Sequence, residues 1–385
     1  MSNCLLRRKT MKKNKTFTAL FLSLVSFCFV FFAVFYLFCL TKNTTFAKIL
    51  STPETKNYHW VAIEPNFEPE FYHTKEAIRI GDNLLLFQSS YGGWNKNIHV
   101  DADFNIFEKL YILCDKSLHE MPTIDNSATT TEIDYLSKLY NATHQKKYKK
   151  AVIKGIKYLL KMQNAKGGFP QAFPLVQHEY QKYITYNDRA NINVMTLFYK
   201  IINNNQQYKF VGKHLKEKIK ESFRKGLDCL LKTQLPGGAW ASQYNHETLE
   251  PARARIYELA AIDSRETANI LLFLMDLKDQ PEDVLHRIEK GIQWLDEHKI
   301  TDFEMVRYIN DDGEQDIKIA ECHNCPPMWA RMYDVSTDIP LFSDRSGKIF
   351  TDMNDVSYER RIHYEWYVFD GNIALEKYQV WKNNR

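Results

Sequence analysis

The sequence predicts an all-α fold, a toroid of helical hairpins whose long loops form a cleft at one end. Two observations predict it. Apolar residues recur at helical spacing along most of the chain, and one short turn motif recurs three times between the helices. No comparable alternation of apolar and polar residues indicates a sheet. We therefore expect a mostly helical body.

Apolar residues spaced three and four apart mark six helices. The first follows Thr129-Thr-Thr-Glu132, a pattern typical of an N-terminal capping box. Taken helix by helix, the apolar positions are Ile133, Leu136 and Tyr140; Val152, Ile156, Leu159 and Leu160; Val194, Leu197 and Ile201; Leu215, Ile219, Phe223 and Leu230; Leu271, Leu274 and Leu277; and Ile288, Ile292 and Leu295.

The repeated turn motif contains a glutamine, a Gly-Gly pair and an aromatic residue. It occurs at residues 88–94, 163–169 and 234–240, and its glutamines are 75 and 71 residues apart. Glycine adopts the left-handed conformation that ends many helices, so each copy is expected to close a helix. Two helices fit between consecutive copies, which predicts helical hairpins placed around an axis.

The N-terminal region has the pattern of an export signal. Six basic residues precede an uncharged run over residues 17–40, whose 24 residues would extend about 36 Å as a helix, enough to span a bilayer. Thr45-Phe46-Ala47 resembles a cleavage site, so residues 1–48 form either a signal anchor or a cleaved signal peptide. Both alternatives place the body outside the cytoplasm. Residues 49–72 are predicted as a linker and residues 73–385 as the catalytic domain.

The charge of the body excludes a nucleic-acid-binding domain. The chain has a net charge of +4, but its first 48 residues carry eight of the 51 basic residues and no acid, leaving 43 basic and 47 acidic residues. Nucleic-acid-binding domains are usually strongly basic. We expect a monomer without a nucleic-acid partner, in which a local cluster of cations meets any anionic substrate.

The cysteine pattern does not indicate a metal site. Cys322-His-Asn-Cys325 is a single CxxC with no second pair at zinc-site spacing. We assign it no metal and expect either a local disulfide or two free thiols.

Three polar stretches lie where helical packing does not require them. Asp125 and Asp188 each precede a predicted helix, where a short carboxylate caps the helix or reaches into a cleft. Arg253 and Arg255 lie in the third stretch, where surface cations and ion pairs are the ordinary alternative. Spacing alone leaves these alternatives open.

These stretches resemble the motifs of family 10 polysaccharide lyases, the pectate lyases. The resemblance runs in order from about residue 75 to 381. The matching segments are Gly92-Gly-Trp-Asn-Lys-Asn97, Thr123-Ile-Asp-Asn-Ser-Ala-Thr-Thr-Thr-Glu132, Gly167-Gly-Phe-Pro-Gln171, Ile184-Thr-Tyr-Asn-Asp188, Arg255-Ile-Tyr-Glu258, Pro326-Pro-Met-Trp-Ala-Arg-Met-Tyr333, Asp344-Arg-Ser-Gly347 and Glu359-Arg-Arg-Ile-His-Tyr-Glu-Trp-Tyr367.

The resemblance implies an (α/α) barrel that cleaves pectate, a polyuronate, by β-elimination with the help of Ca²⁺. By motif position, Asp125 and Asp188 would be the catalytic carboxylates and calcium ligands. Arg255 would be the base, with Arg253 as the alternative. The other residues expected to bind substrate are Trp94, Lys96, Asn126, Asn187, Arg189, Arg253, Arg345, Arg360 and Arg361.

Two departures from the family pattern bear on activity. Arg189 replaces the second aspartate of the family's Asn-Asp-Asp motif, and residues 261–267 differ from the family's serine-rich stretch. Fewer charged ligands should weaken calcium binding. Arg189 either binds the substrate carboxylate itself or faces solvent. The alternative function is a degenerate lyase that binds pectic oligosaccharides at the cell surface.

Overall fold

The computed structural model describes residues 67–203, 206–278 and 280–385. The predicted membrane segment and most of the predicted linker lie outside these ranges. Within them, no helix combines the length and apolar character needed to cross a bilayer. The described residues divide into two units, Asp101–His119 and a main body of residues 67–100 and 120–385.

Most of the regular structure in the described residues is α-helical, which confirms the mostly helical prediction. The helix α2 belongs to the unit Asp101–His119. In chain order the helices are α1 (Lys75–Phe87), α2 (Ile106–His119), α3 (Thr130–Thr143), α4 (Lys146–Met162), α5 (Ala190–Ile202), α6 (Lys213–Lys232), α7 (Ser264–Asp276), α8 (Glu282–Glu297), α9 (Tyr358–His363) and α10 (Asp370–Asn383).

The helices of the main body pack in two rows. In the first row, α3 packs on α5, α5 on α7, and α7 on α10. In the second row, α1 packs on α4 and α4 on α6, and the turn that follows α6 is hydrogen-bonded to α8 through Gln234 and the Arg287 carbonyl. The hairpins α3–α4, α5–α6 and α7–α8 each join a first-row helix to a second-row helix. This pairing agrees with the helical hairpins that the repeat predicted.

The three Gln–Gly-Gly turns link second-row helices to one another. Each glutamine Nε2 donates to the carbonyl of the glycine four residues later and to a carbonyl of another second-row helix, at 2.6–2.9 Å. The turns therefore end helices, as predicted, and also clamp neighbouring helices together. The glutamines and their helix carbonyls are Gln88 with Ala151, Gln163 with Ser222, and Gln234 with Arg287.

The predicted capping box is wrong. Thr129 precedes α3 but has a φ of 65°, and its side chain makes no capping hydrogen bond to the helix. Its hydroxyl instead accepts from the Trp94 amide at 3.0 Å and donates to the Thr123 carbonyl at 2.8 Å. The Thr129 side chain, predicted to cap α3, thus binds the Trp94 amide of the first Gly-Gly turn instead.

Short strands accompany the helices, which the all-α prediction did not include. The longest pair, β4 and β5, forms an antiparallel hairpin followed by a Cys322–Cys325 disulfide, one of the two alternatives for this CxxC. The strands pair in the orders β1-β2, β10-β6, β3-β7-β8-β9 and β4-β5. They are β1 (Ile184–Thr185), β2 (Gln243–Tyr244), β3 (Ile262–Asp263), β4 (Phe303–Ile309), β5 (Gln315–Glu321), β6 (Trp329–Ala330), β7 (Met332–Tyr333), β8 (Pro340–Ser343), β9 (Ile349–Phe350) and β10 (Tyr367–Val368).

The folded body begins before the predicted boundary at residue 73. A 3₁₀ turn at Pro69–His73 carries the buried Tyr72. The Phe67 ring lies edge-on to Tyr135 of α3, with 6.3 Å between ring centroids. The linker predicted for residues 49–72 is therefore too long at its C-terminal end.

The Gly-Gly turns require glycine for two reasons, a positive φ and a close approach to a neighbouring helix. Comparing Gly167 with Gly313, a glycine outside these turns that has only the positive φ, separates the two reasons. Gly167 has a φ of 98°, and a Cβ there would lie 2.2 Å from the Lys225 carbonyl oxygen of α6. Gly313 has a φ of 80° with nothing within 4 Å of its Cβ position. Gly313→Ala should cost about 1–2 kcal/mol from backbone strain alone. Gly167→Ala should cost about 1–3 kcal/mol more, because the turn must also move away from α6. Urea unfolding of both variants measures the difference, and equal losses would contradict the clamp.

Candidate active site

One pocket of about 180 Å³ brings together side chains that are far apart in the sequence. Asp125, Asp188 and Arg255 all line it. Three further residues of the predicted site also line it: Lys96, Asn126 and Asn187. The predicted chemistry requires the two carboxylates and the arginine to share one cavity, and the fold places them in one.

The Gly-Gly turns position the segments that supply this pocket. In each copy, the carbonyl of the turn's aromatic residue accepts a main-chain hydrogen bond from a residue beside the pocket. Asp125 and Asn187 each lie two residues after such a donor. The three donor–acceptor pairs are Thr123 with Trp94 (2.9 Å), Thr185 with Phe169 (3.3 Å) and Asp263 with Trp240 (2.8 Å).

Asp125 and Asp188 lie in two short 3₁₀ turns, Asp125–Ser127 and Asn187–Arg189. Each turn contains two consecutive residues with a positive φ: Asn126 (49°) and Ser127 (60°) in the first, and Asp188 (54°) and Arg189 (58°) in the second. Asn and Asp adopt this conformation more readily than most residues. Neither carboxylate caps a helix, since α3 and α5 begin after other residues. The capping alternative is therefore excluded for both aspartates.

The two pocket aspartates have different surroundings. The Asp125 carboxylate is buried and pairs with the half-exposed Lys96 ammonium group. Burial raises the pKa of Asp188; Arg331 opposes the shift, and the nearby carboxylate of Asp125 adds to it. Asp188 Oδ2 accepts a hydrogen bond from Asn187 Nδ2 at 2.9 Å. One carboxylate thus has a direct cationic partner, whereas the other is held by a neutral amide.

Arg255 is a paired cation in this structure. Its Nε donates to Glu258 Oε2 at 2.7 Å, and its Nη2 contacts the other oxygen of the same carboxylate. This hydrogen-bonded pairing with Glu258 raises the pKa of Arg255, although burial acts in the opposite direction. A general base needs the opposite shift. The geometry therefore favours Arg255 as a cationic group in the unliganded pocket.

Three arginines surround the ring of Tyr257. The guanidinium carbon lies 4.9 Å from the ring centroid for Arg255, 5.4 Å for Arg345 and 4.7 Å for Arg360. Arg345 is exposed and pairs with Glu359, whereas Arg360 is buried. Arg345 and Arg360 do not line the pocket but lie around the same ring as Arg255.

Two predicted substrate-binding residues have structural partners instead. Trp94 is fully buried and donates from Nε1 to the Leu84 carbonyl at 2.8 Å, so its ring cannot stack on a sugar. Arg361 binds both oxygens of Asp316, at 2.7 and 2.6 Å, and also donates to two main-chain carbonyls. The predicted substrate-binding roles are therefore wrong for both residues: Trp94 is a core residue, and Arg361 belongs to a structural ion pair.

Arg189 and Arg253 both have exposed side chains outside the lining of the pocket. For Arg189, this placement favours the solvent-facing alternative. Its main-chain amide nevertheless contacts Glu266 Oε2 at 3.3 Å, so the backbone at this position touches the buried residues behind the pocket.

Several pocket residues were not predicted from the sequence as site residues. Two of them, Gln171 and Ser242, share one feature with Lys96, which was predicted. Each of the three lies two positions after the aromatic residue of its turn copy. Reading the repeat for equivalent positions would have found them. Glu258, Met332 and Tyr364 lie in the quoted motifs but were not given a role. The lining residues outside both the repeat positions and the motifs are Tyr180, Gln243, Ala252, Ala254 and Leu259.

The pocket's oxygen atoms fit a calcium ion in chemical type. Ca²⁺ takes six to eight oxygen ligands, including carboxylates and amide carbonyls. Besides Asp125 and Asp188, the pocket is lined by Gln171 and Gln243, whose buried Oε1 atoms have no hydrogen-bond partner. In the part of the chain that is described, the one tight cluster of three possible metal-ligating residues is Glu304 with the disulfide-bonded Cys322 and Cys325. The calcium site at Asp125 and Asp188 stays a prediction.

A buried charged group lies next to the pocket aspartates. Asp263 and Glu266 are fully buried, and Arg331 is 6% exposed. Arg331 Nε contacts Asp263 Oδ2 at 3.4 Å, and its Nη2 donates to Asn187 Oδ1 at 2.7 Å. Burial raises the pKa of Glu266 to about 8, with the Asp263 carboxylate adding to the shift. This shift favours the protonated form of the Glu266 carboxyl at neutral pH.

Comparison with known proteins decides the family. The sequence model of the family described as Pectic acid lyase matches residues 88–374. The chain belongs to the pectic acid lyase family. It is therefore a polysaccharide lyase of the pectate lyase type, as its motifs predicted. No curated protein matches its sequence significantly.

Two solved structures are similar to this lyase over most of its length. Family 10 polysaccharide lyase from Cellvibrio cellulosa is 27% identical with a TM-score of 0.69, covering 82% of this chain and 95% of its own. A mutant of that lyase in complex with trigalacturonic acid is 25% identical with a TM-score of 0.70, covering 83% and 95%.

The protonated state of Glu266 predicts how stability depends on pH. The folded-state pKa of about 8 exceeds the unfolded value, so between about pH 4.5 and 8 the folded lyase holds a proton that the unfolded chain releases. This contribution to stability is complete below pH 4.5 and falls by up to about 1.4 kcal/mol per pH unit until pH 8. Glu266→Gln should remove it.

Urea unfolding between pH 5 and 8 measures this slope. The matched control is Glu221→Gln, which removes an exposed carboxylate paired with Arg224 and should keep the wild-type decline between these pH values. A Glu266→Gln protein with the same pH slope as the wild type would show that Glu266 is ionised in the folded state.

Proposed function

We propose that this lyase cleaves polygalacturonate by β-elimination in the pocket lined by Asp125, Asp188 and Arg255. The observation that carries the proposal is the convergence of these three side chains in one cavity. The similarity to a family 10 lyase in complex with trigalacturonic acid supports a polyuronate substrate. Membership in a lyase family favours catalysis over the alternative of a protein that only binds pectic oligosaccharides.

The reaction needs stabilisation of negative charge beside a carboxylate. A base removes the proton at C5 of a uronic acid and the electron pair spreads into the adjacent carboxylate. The C4–O bond then breaks, which leaves a sugar with a C4–C5 double bond, and the departing oxygen takes up a proton from the protonated base or from water. Cations on that carboxylate stabilise this transition state more than the ground state. Lys96 lines the pocket and supplies such a cation, and Arg255 supplies a second one when it is protonated.

We retain Arg255 as the proposed base, under a stated condition. The hydrogen-bonded pairing with Glu258 raises the pKa of Arg255 and so favours its protonated form. To accept a proton from C5, Arg255 must first lose one, which requires separation from Glu258 and added positive charge nearby. The substrate would have to break the Arg255–Glu258 pair on binding. If that pair persists in a substrate complex, Arg255 acts as an electrostatic group and not as the base.

Calcium assistance is part of the proposal. Asp125 and Asp188 would hold the ion, and the unpartnered oxygens of Gln171 and Gln243 are further candidate ligands. A bound Ca²⁺ would supply positive charge to the substrate carboxylate. Lys96 pairs with Asp125 in the absence of the ion, so binding would exchange one cationic partner for another.

The finer features of fold and location are also proposals. The two helix rows and their hairpins support an (α/α) toroid with a cleft formed by long loops. The basic residues and uncharged run at the N-terminus support export, with the membrane contacted through that segment alone. We propose a monomer anchored or secreted outside the cytoplasm.

Substitution of the two arginines of the third polar stretch tests the site. Arg255→Lys keeps the charge but loses the two-pronged geometry, and should lower turnover of polygalacturonate about 100-fold or more. Arg253→Lys should change it less than about threefold, because Arg253 lies outside the pocket lining. Ultraviolet absorbance of the unsaturated product measures both. The reverse order of losses would make Arg253 the catalytic arginine.

Substitution of Arg189 tests the remaining alternative for that residue. Because its side chain is exposed outside the pocket lining, Arg189→Ala should leave turnover within about threefold of the wild type, with the same dependence on added Ca²⁺ after chelator treatment. The product assay over a calcium titration measures this. A loss of affinity together with stronger calcium dependence would show that Arg189 replaces part of the metal's function.

A further inference from the structure

A buried ion pair lies behind the pocket but outside its lining. Asp263 ends strand β3 and is fully buried, and Arg331 lies between β6 and β7 with 6% exposure. Burying two charges is costly unless each is well paired. Neither residue lines the pocket, so any effect of the pair on catalysis must act through the residues that it contacts.

A continuous chain of contacts runs from Asp263 to a pocket aspartate. Asp263 Oδ2 contacts Arg331 Nε at 3.4 Å, and Arg331 Nη2 donates to Asn187 Oδ1 at 2.7 Å. The amide of Asn187 then donates to Asp188 Oδ2 at 2.9 Å. The last two residues line the pocket. Arg331 uses Nε for one contact and Nη2 for the next, and Asn187 uses Oδ1 and then Nδ2. These contacts therefore fix the orientation of both side chains as well as their positions.

Arg331 has competing acidic neighbours. Its guanidinium interacts electrostatically with Asp263 and, more weakly, with Asp188. Asp263 is therefore the counter-ion that keeps Arg331 from pairing directly with Asp188. A buried arginine that lost this partner would be drawn to the remaining carboxylates.

We propose that Asp263 is a positioning residue for the pocket: by holding Arg331, it leaves Asp188 oriented by Asn187 and available to ligands. The inference rests on the proposed role of Asp188 in the lyase reaction. Asp263 Oδ2 also accepts a hydrogen bond from the hydroxyl of Ser242, a pocket-lining residue, at 2.7 Å, so it holds a second pocket side chain in place. Its Oδ1 accepts the Glu266 amide at 3.1 Å as the N-cap of α7, and this contact serves stability alone.

Asp263→Asn separates these two roles. Asparagine keeps the volume and the N-cap acceptor but turns an amide donor or a neutral oxygen toward Arg331 in place of a carboxylate. Arg331 should then shift toward Asp188, and turnover of polygalacturonate should fall about 10- to 100-fold, the range expected when a catalytic group is misplaced by about 1 Å.

Asp316→Asn is the matched control. Asp316 is 3% exposed and pairs with Arg361, so this variant also loses a buried carboxylate–arginine pair. Neither residue lines the pocket. We expect a comparable fall in the midpoint of thermal unfolding and turnover within twofold of the wild type.

An Asp188→Asn background provides a second discrimination. If Asp263 acts through Asp188, adding Asp263→Asn there should lower turnover less than twofold further, whereas independent structural damage would multiply the two losses. Crystal structures of the wild type and Asp263→Asn provide a readout that does not depend on activity.

The outcomes are distinct. Displacement of Asp188 or loss of the Arg331–Asn187 contact in Asp263→Asn, with selective loss of turnover, supports the proposal. An unchanged Asp188, turnover within twofold of the wild type, a loss no larger than that of Asp316→Asn, or multiplying losses would overturn it. If the wild-type protein makes no unsaturated product, the proposed function fails, and the position of Asp188 in the two crystal structures alone decides the inference.

Discussion

The Gly-Gly turn is the constraint on which both fold and site depend. Its glutamine amide binds one carbonyl within the turn and one on another second-row helix, so a single side chain fixes the spacing of two helices. Its aromatic residue then accepts a main-chain hydrogen bond from the segment beside the pocket. Because Gly167 lies against the α6 backbone, the turn has little freedom to move. Three copies of one local structure therefore deliver pocket residues from distant parts of the chain.

The pocket is close to electrically balanced without a ligand. Asp125 pairs with Lys96, Glu258 pairs with Arg255, and Asp188 is held through an amide that Arg331 orients. A polyuronate brings one negative charge per sugar. In the proposed reaction, binding would therefore exchange partners: the lysine and the arginine would pair with the substrate, and Asp125 and Asp188 would pair with a cation. This exchange links substrate binding to calcium binding in the proposed reaction.

The sequence predicted the features that repeat and missed those that arise from single contacts. Helical periodicity and the recurring turn were sufficient to predict the helices. The motifs were sufficient to predict that Asp125, Asp188 and Arg255 share one pocket. The β4–β5 hairpin was missed although Asp312-Gly313 lies between strands of alternating character. Trp94 and Arg361 were misassigned because residue type cannot distinguish a ring or guanidinium in a cleft from one buried against a carbonyl or an aspartate.

The buried charges behind the pocket show why site residues cannot be predicted from motifs alone. Asp263 and Glu266 lie in the stretch that departs from the family pattern, and neither was predicted to belong to the site. In the fold both are completely buried beside Arg331, and burial, with the Asp263 carboxylate adding to it, raises the pKa of Glu266. Burying the charged pair Asp263 and Arg331 opposes folding, yet their contact fixes the guanidinium that orients Asn187 and through it Asp188. A sequence change next to a catalytic motif can therefore preserve a site, provided that the new side chain supplies the missing electrostatic partner from another element.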